Sequence, residues 1–316
     1  MATTAKRVAI YATVVLGTAL AAVSSILLLP GDRIPEVDFK QVSPENSSVP
    51  DNDDRPVLKI AIGAMISPKI TKRYYEDLLK LLGSKVGRHT QLIQRKTYAE
   101  VNDLIEKREV DLAFVCAGPY VQGHDKFGLE LLAVPIVEGR NVYHSYILAN
   151  IAGDIRTFDN LRGKRFAFTD PDSNTGCLVP KYMLAKRGES PESFFRETFF
   201  TYSHDNSIKA VGDNLADGAA VDSLIWDFMR ATDPASVSKT VIIEKSPPYG
   251  IPPLVVHPAT PPSLKAELKR VLLSIHRDPT AESLLSKVRI ERFEEGNDSL
   301  YDTVREMQSW QDENQR

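Results

Sequence analysis

The chain has 316 residues, 42% of them hydrophobic and 26% charged, a composition ordinary for globular proteins and long enough for two lobes. Its 39 basic and 42 acidic side chains leave a formal net charge of −3, without the basic excess that binding a phosphodiester backbone requires, so no nucleic-acid partner is expected. Two cysteines exclude a disulfide-built scaffold or a multi-cysteine zinc site, and six histidines without a close pair point to no metal; no cofactor is expected either.

Lys6 and Arg7 precede an uncharged apolar segment, residues 8–29, that closes at Pro30 and Gly31. About 20 apolar residues suffice for a helix to cross the hydrocarbon core. Positive residues before the segment, and Asp32 and Glu36 after it, favour a cytoplasmic N-terminus with the remainder outside. Ala19, Ala21 and Ala22 also offer small residues at a cleavage-like position, the mark of a secretory signal. The apolar run continues through Leu29, beyond those alanines, which favours an uncleaved transmembrane anchor; a cleaved chain would be secreted. Residues 31–56 are rich in Pro, Asp, Asn and Ser without apolar periodicity and read as a flexible tether.

Strands and amphipathic helices then alternate. A strand is expected over residues 58–63 and a helix from Ser67 and Pro68 to about Gly87, with Ser as N-cap and Pro at the first helical position. A strand over 91–94, a helix over 99–107 and a strand over 110–116 complete a βαβ rhythm. A second such unit has strands over 165–169, 198–202 and 218–221, with helices over 176–186 and 207–215. Further on stand a strand over 241–244, a Pro-rich crossing over 246–253, and helices over 263–275, 281–287 and 299–310.

The most informative stretch is 166–180, where a buried strand delivers Asp170 and Pro171 into a turn and Ser173, Asn174, Thr175 and Gly176 open a helix. Unpaired N–H groups and the positive end of the helix dipole make such a start an anion site, and hydroxyls add donors without charge. The plainer role for Ser173 or Thr175 is an N-cap. The Gly-rich lead and Lys-Ser/Thr pair of a Walker phosphate loop are absent.

Leu161, Gly163 and Lys164, followed by Asp170, Pro171, Ser173 and Gly176, resemble the corresponding segment of the phosphate-, phosphite- and phosphonate-binding subunits of ABC importers. The stretch 202–211 with His204 and Asp205, the strand at 216–223 and the Pro-rich return at 246–256 are similar to further segments of that family, in order, across residues 57–307. The resemblance implies an α/β, two-lobed type II periplasmic-binding-protein (Venus-flytrap) fold, here with an N-terminal transmembrane helix. Residues 1–30 would be the anchor or signal segment and 31–56 the tether; 57–145 plus 241–316 would form lobe 1, and 146–240 lobe 2. It also implies a small phosphorus oxyanion ligand (phosphonate, phosphite or phosphate), captured on the periplasmic or extracellular face of the membrane and delivered to ABC-transporter membrane subunits. A membrane-anchored sensor or scaffold signalling to another membrane partner is the alternative. By position, Ser173, Asn174 and Thr175 match helix-start contacts, His204 and Asp205 a His-Asp pair, Tyr98 and Tyr120 aromatic contacts from lobe 1, and Asp222 an acidic position facing the ligand. Each has a plainer role: Asp205 and Asp222 as N-caps, Tyr98 and Tyr120 as packing residues. Asn174, where a hydroxyl is more usual, and Cys177, where an aromatic often stands, depart from the pattern and leave the choice among oxyanions open. The resemblance places Cys116 and Cys177 on opposite lobes, and both are expected as free thiols. With no nucleophile-elbow motif, and His204 and Asp205 merely adjacent in sequence, no catalysis is expected.

Overall fold

The computed structural model describes residues 54–314, so the expected anchor and all but the last three residues of the tether lie outside the described residues. Among the described residues, no helix is long and apolar enough to cross a membrane.

The first sheet starts from the expected βαβ rhythm. Strand β1 (Val57–Ile62) leads into α1 (Pro68–Lys85), with Pro68 at its start, then β2 (His89–Ile93), α2 (Tyr98–Glu106) and β3 (Leu112–Phe114). Strand β1 pairs in parallel with both β2 and β3. Thr97 and Glu100 close a capping box on α2, each side chain taking a backbone N–H of the other. Helix α3 (Ala117–Phe127) follows and ends at Gly128, whose φ of +77° suits glycine. Next comes β4 (Glu130–Ile136).

Through β5 (Val142–Tyr143) the chain then enters a second sheet, built from β6 (Ser145–Asn150), β7 (Arg165–Phe168), β8 (Glu197–Phe200) and β9 (Gly218–Asp222). Its helices are α4 (Val179–Ala185), α5 (Pro191–Phe194), α6 (His204–Gly212), α7 (Ser223–Thr232) and α8 (Pro234–Val237). The strand expected at 241–244 is β10 (Thr240–Lys245), which pairs antiparallel with β6 and therefore lies in this sheet rather than with the first. The order is β10-β6-β9-β7-β8. The chain returns through β11 (Tyr249–Gly250), which pairs with β5, so that the two crossings run side by side.

Strand β12 (Leu254–Val256) then inserts between β3 and β4, antiparallel to both, and β13 (Arg292–Glu294) adds at the edge beside β4. The first sheet accordingly reads β13-β4-β12-β3-β1-β2. Helices α9 (Pro262–Ser274), α10 (Pro279–Lys287) and α11 (Asp302–Asn314) complete this part.

Apolar clusters hold each sheet. Leu58, Ile60 and Ile62 of β1 pack with α1 and α9, while Phe166 and Phe168 of β7 pack with Phe158, Phe194 and Phe195 beneath the second sheet. Phe166 is fully buried, stacked on Phe195 with ring centroids 4.3 Å apart and set edge-on to Phe168 at 5.1 Å. Removing such a ring forfeits its transfer energy and leaves a cavity. Phe166→Ala is expected to destabilise the fold by about 3–5 kcal/mol in urea unfolding; a loss of less than about 1 kcal/mol would show that the cluster does not hold this sheet.

Candidate functional site

Strand β7 ends at Phe168 and hands over to Thr169 and Asp170, both fully buried. The expected helix start is a π-turn, Asn174–Leu178, with Ser173 as its N-cap, leading into α4. Its cause is Pro180, which has no N–H to give to the carbonyl of Gly176 four residues earlier. That carbonyl instead accepts the amide of Thr169 at 3.1 Å, while the Leu178 amide reaches back to Ser173 at 2.9 Å. Gly176 is required at this contact, since a Cβ there would stand 2.5 Å from Thr169 and 3.0 Å from the His204 ring. Ser173 plays the plain capping role, its Oγ accepting the Gly176 amide at 3.0 Å.

His204 and Asp205 open α6, and Asp222 ends β9; all three are buried. The Asp222 amide donates to Nδ1 of His204 at 3.1 Å, so Nδ1 must be the unprotonated nitrogen and Nε2 carries the hydrogen. Burial holds the imidazole neutral, with its pKa lowered to about 3. Asp222 caps α7 by accepting the Leu224 amide through Oδ1 at 2.7 Å, and burial nevertheless pushes its carboxyl up to about 7. Asp205 does not cap its own helix; its Oδ1 accepts the Ser67 amide at 2.8 Å, across from the first sheet.

Further bonds tie the two sheets together at the same place. The His204 amide donates to the Met65 carbonyl at 3.0 Å, and the Tyr98 amide to Asp170 Oδ2 at 3.2 Å. Gln122 Nε2 donates to Asp172 Oδ1 at 3.1 Å, and Asn174 Nδ2 to the Tyr143 hydroxyl at 3.1 Å. Gly118 lies so close that a Cβ there would stand 2.4 Å from the Asp172 carbonyl oxygen. Asp170, buried beside these bonds, has its carboxyl raised to about 6 by desolvation. Burial, with the Cys116 thiol and the carboxyls of Asp170 and Asp222 nearby, raises the Tyr98 phenol well above its usual range.

Several polar atoms of this cluster are buried yet have no hydrogen-bond partner among the described residues: the Tyr98 hydroxyl, Asn174 Oδ1, Thr175 Oγ1, Ser203 Oγ, His204 Nε2, Asp205 Oδ2 and Asp222 Oδ2. Each such atom costs about 1–3 kcal/mol if left so. The hydroxyls and the imidazole N–H are neutral donors; the amide and carboxylate oxygens are acceptors. Among the described residues no lysine or arginine is fully buried, so nothing cationic stands inside the cluster.

Of the residues expected from the sequence, Ser173, Asn174, Thr175, His204, Asp205, Tyr98 and Asp222 meet here. Tyr120 does not belong with them: its hydroxyl donates to Asp298 Oδ1 at 2.8 Å and its ring packs on Tyr301 at 4.5 Å. Ser203, Asp170 and Tyr143 were missed. Only Asp170 carried a sequence signal, as the residue delivered by β7 into the turn. Cys116 and Cys177 are free and buried, with burial raising both thiols to about 11. Cys177 packs in the aromatic cluster of the second sheet and Cys116 lies 3.6 Å from the Tyr143 hydroxyl.

The family model for the periplasmic substrate-binding protein of phosphonate ABC transporters matches residues 60–301. A phosphate-import protein of Mycolicibacterium smegmatis is 30% identical over 167 residues, a match covering 49% of this chain and about half (51%) of that protein. A binding-protein component of an ABC phosphonate transporter from Pseudomonas aeruginosa superposes with a TM-score of 0.77 at 23% identity, covering 81% of this chain and 86% of that one. A Prochlorococcus marinus protein solved with methylphosphonate superposes with a TM-score of 0.74 at 18% identity, covering 81% and 98%. At these identities the two structures show the shared fold, that of type II periplasmic binding proteins. The match over most of the chain shows the family: this protein belongs to the periplasmic substrate-binding proteins of phosphonate ABC transporters.

Proposed function

We propose that the chain captures a small phosphorus oxyanion between its two sheets, outside the cytoplasmic membrane, and delivers it to the membrane subunits of an ABC importer. The sheets serve as the two lobes, and the apolar segment 8–29 as the anchor. The observation that carries this reading is the set of buried, unpartnered donors and acceptors where the sheets meet. Tyr98, Thr175, Ser203 and His204 Nε2–H would donate to the oxygens of the anion, with Ser173 holding the turn that presents Thr175. Asn174 and Asp205 would accept, and Asp222, its carboxyl pushed up to about 7, would accept when ionised and donate when protonated; the acceptors suit an oxyanion retaining one P–OH rather than a fully ionised one. An acceptor carboxylate repels a dianion, and no buried cation offsets it.

The full-length chain in mild detergent is expected to bind phosphonate, phosphite or phosphate one to one in calorimetry. Its thermal unfolding should shift upward with ligand, since binding to the native state adds RT ln(1 + [L]/Kd). No heat and no shift with any of the three would contradict the proposal.

The buried carboxyl of Asp222 also sets a pH dependence in the unliganded protein. Its folded pKa, raised from 3.8 to about 7, means that its contribution to stability is full below 3.8 and is lost as pH climbs to about 7. The depressed pKa of His204 acts in the opposite sense, since that contribution is present above 6.5 and lost as pH falls toward 3. Comparing wild type with Asp222→Asn cancels the histidine. The stability of wild type relative to the variant, from chemical denaturation, should therefore fall between pH 4 and 7 and then level off. A difference independent of pH would show that this carboxyl is not buried.

A further inference from the structure

The orphaned cluster does not stand alone. Asp222, which ends β9 with one carboxylate oxygen unpartnered, also lines a cavity of about 140 Å³ that runs between the two sheets toward the strands that cross from one to the other. That volume is roughly ten times what one water needs. Its walls are apolar in the larger part and come from both sides: Met65, Phe114 and Val137 from the first sheet's loops and strands, Ile225 and Phe228 from α7, and Ile251 from the returning crossing. Charged side chains line it as well, and two of them keep a buried atom without a hydrogen-bond partner among the described residues, Asp222 Oδ2 and Arg289 Nε. Glu138 pairs with Arg289 at 2.6 Å and Asp227 with Arg230 at 3.1 Å, while Lys245 lies against the Tyr146 ring at 5.9 Å.

A polar cluster opening into an apolar chamber is the layout of a site for a ligand with a polar head and an apolar body. We propose that this cavity is the subsite for the organic substituent of the ligand, and that the chain prefers an organophosphonate whose uncharged, apolar substituent is about the size of a phenyl ring. The inference rests on the oxyanion reading above. It goes further in setting phosphate, phosphite and methylphosphonate below such a ligand, because none of them reaches the apolar walls.

The test is calorimetry on the full-length chain with methylphosphonate and benzylphosphonate. Benzylphosphonate should bind at least tenfold more tightly. Val137→Trp, which fills the chamber from a half-buried wall position, should reduce that preference at least tenfold, and Val142→Phe repeats the test from an independent wall position, with thermal unfolding checking that each variant is folded. If methylphosphonate binds and benzylphosphonate binds no more tightly, the subsite is wrong while the function stands. A preference that survives both folded variants likewise overturns the assignment to this cavity. If neither compound binds, and phosphate and phosphite also fail, both readings fall.

Discussion

The bond from the Asp222 amide to Nδ1 of His204 decides what the cluster can do. A backbone N–H cannot be removed by pH, so it fixes the imidazole as a neutral ring whose remaining hydrogen sits on Nε2. For the bond to form, the end of β9 must meet the start of α6 beside β7. The π-turn imposed by Pro180 and the bare Cα of Gly176 allow that approach, with Thr169 Oγ1 3.0 Å from the same nitrogen. Loss of the glycine would push a Cβ into Thr169 and displace the ring. Local backbone geometry, sheet register and donor chemistry are thus one constraint.

A second constraint is how the sheets close. Their contact combines directed bonds, Ser67 to Asp205, His204 to Met65, Tyr98 to Asp170 and Gln122 to Asp172, with apolar packing such as Tyr74 edge-on to Phe228 at 4.9 Å, and Lys96 stands over the Tyr202 ring at 4.4 Å. Hydrogen bonds of this kind contribute about 0.5–3 kcal/mol each, net of water. The paired crossings β5 and β11 leave each sheet's own hydrogen bonding intact. Under the proposed function, opening breaks these bonds and the apolar contacts that span the sheets, such as Tyr74 on Phe228 and Tyr182 on Trp310, and a ligand that satisfies the orphaned atoms biases the equilibrium toward the closed form.

Much of this was legible in the sequence where information is local. The Ser67-Pro68 start of α1, the alternation that marks β1, and the turn after β7 each follow from neighbouring residues. Helix α3 was not read, because Gly118, Pro119 and Gly123 lower helix propensity. The fold keeps two of them for close approach, Gly118 to the Asp172 carbonyl and Gly123 to Leu129. Strands β4, β12 and β13 were missed because they are defined by long-range antiparallel pairing. Tyr120 illustrates the limit for the site: the family resemblance suggested a ligand contact, but its hydroxyl is taken by Asp298, 178 residues away. Ser203 precedes the His-Asp pair and carried no signal of its own.

The most direct test of the account is the imidazole of His204, followed by ¹⁵N NMR during titration with methylphosphonate. The account predicts a neutral ring with its proton on Nε2 and Nδ1 unprotonated, and an Nε2–H resonance that moves downfield as the ligand saturates. A proton on Nδ1, or an Nε2–H resonance unmoved by a ligand that calorimetry shows to be bound, would contradict it.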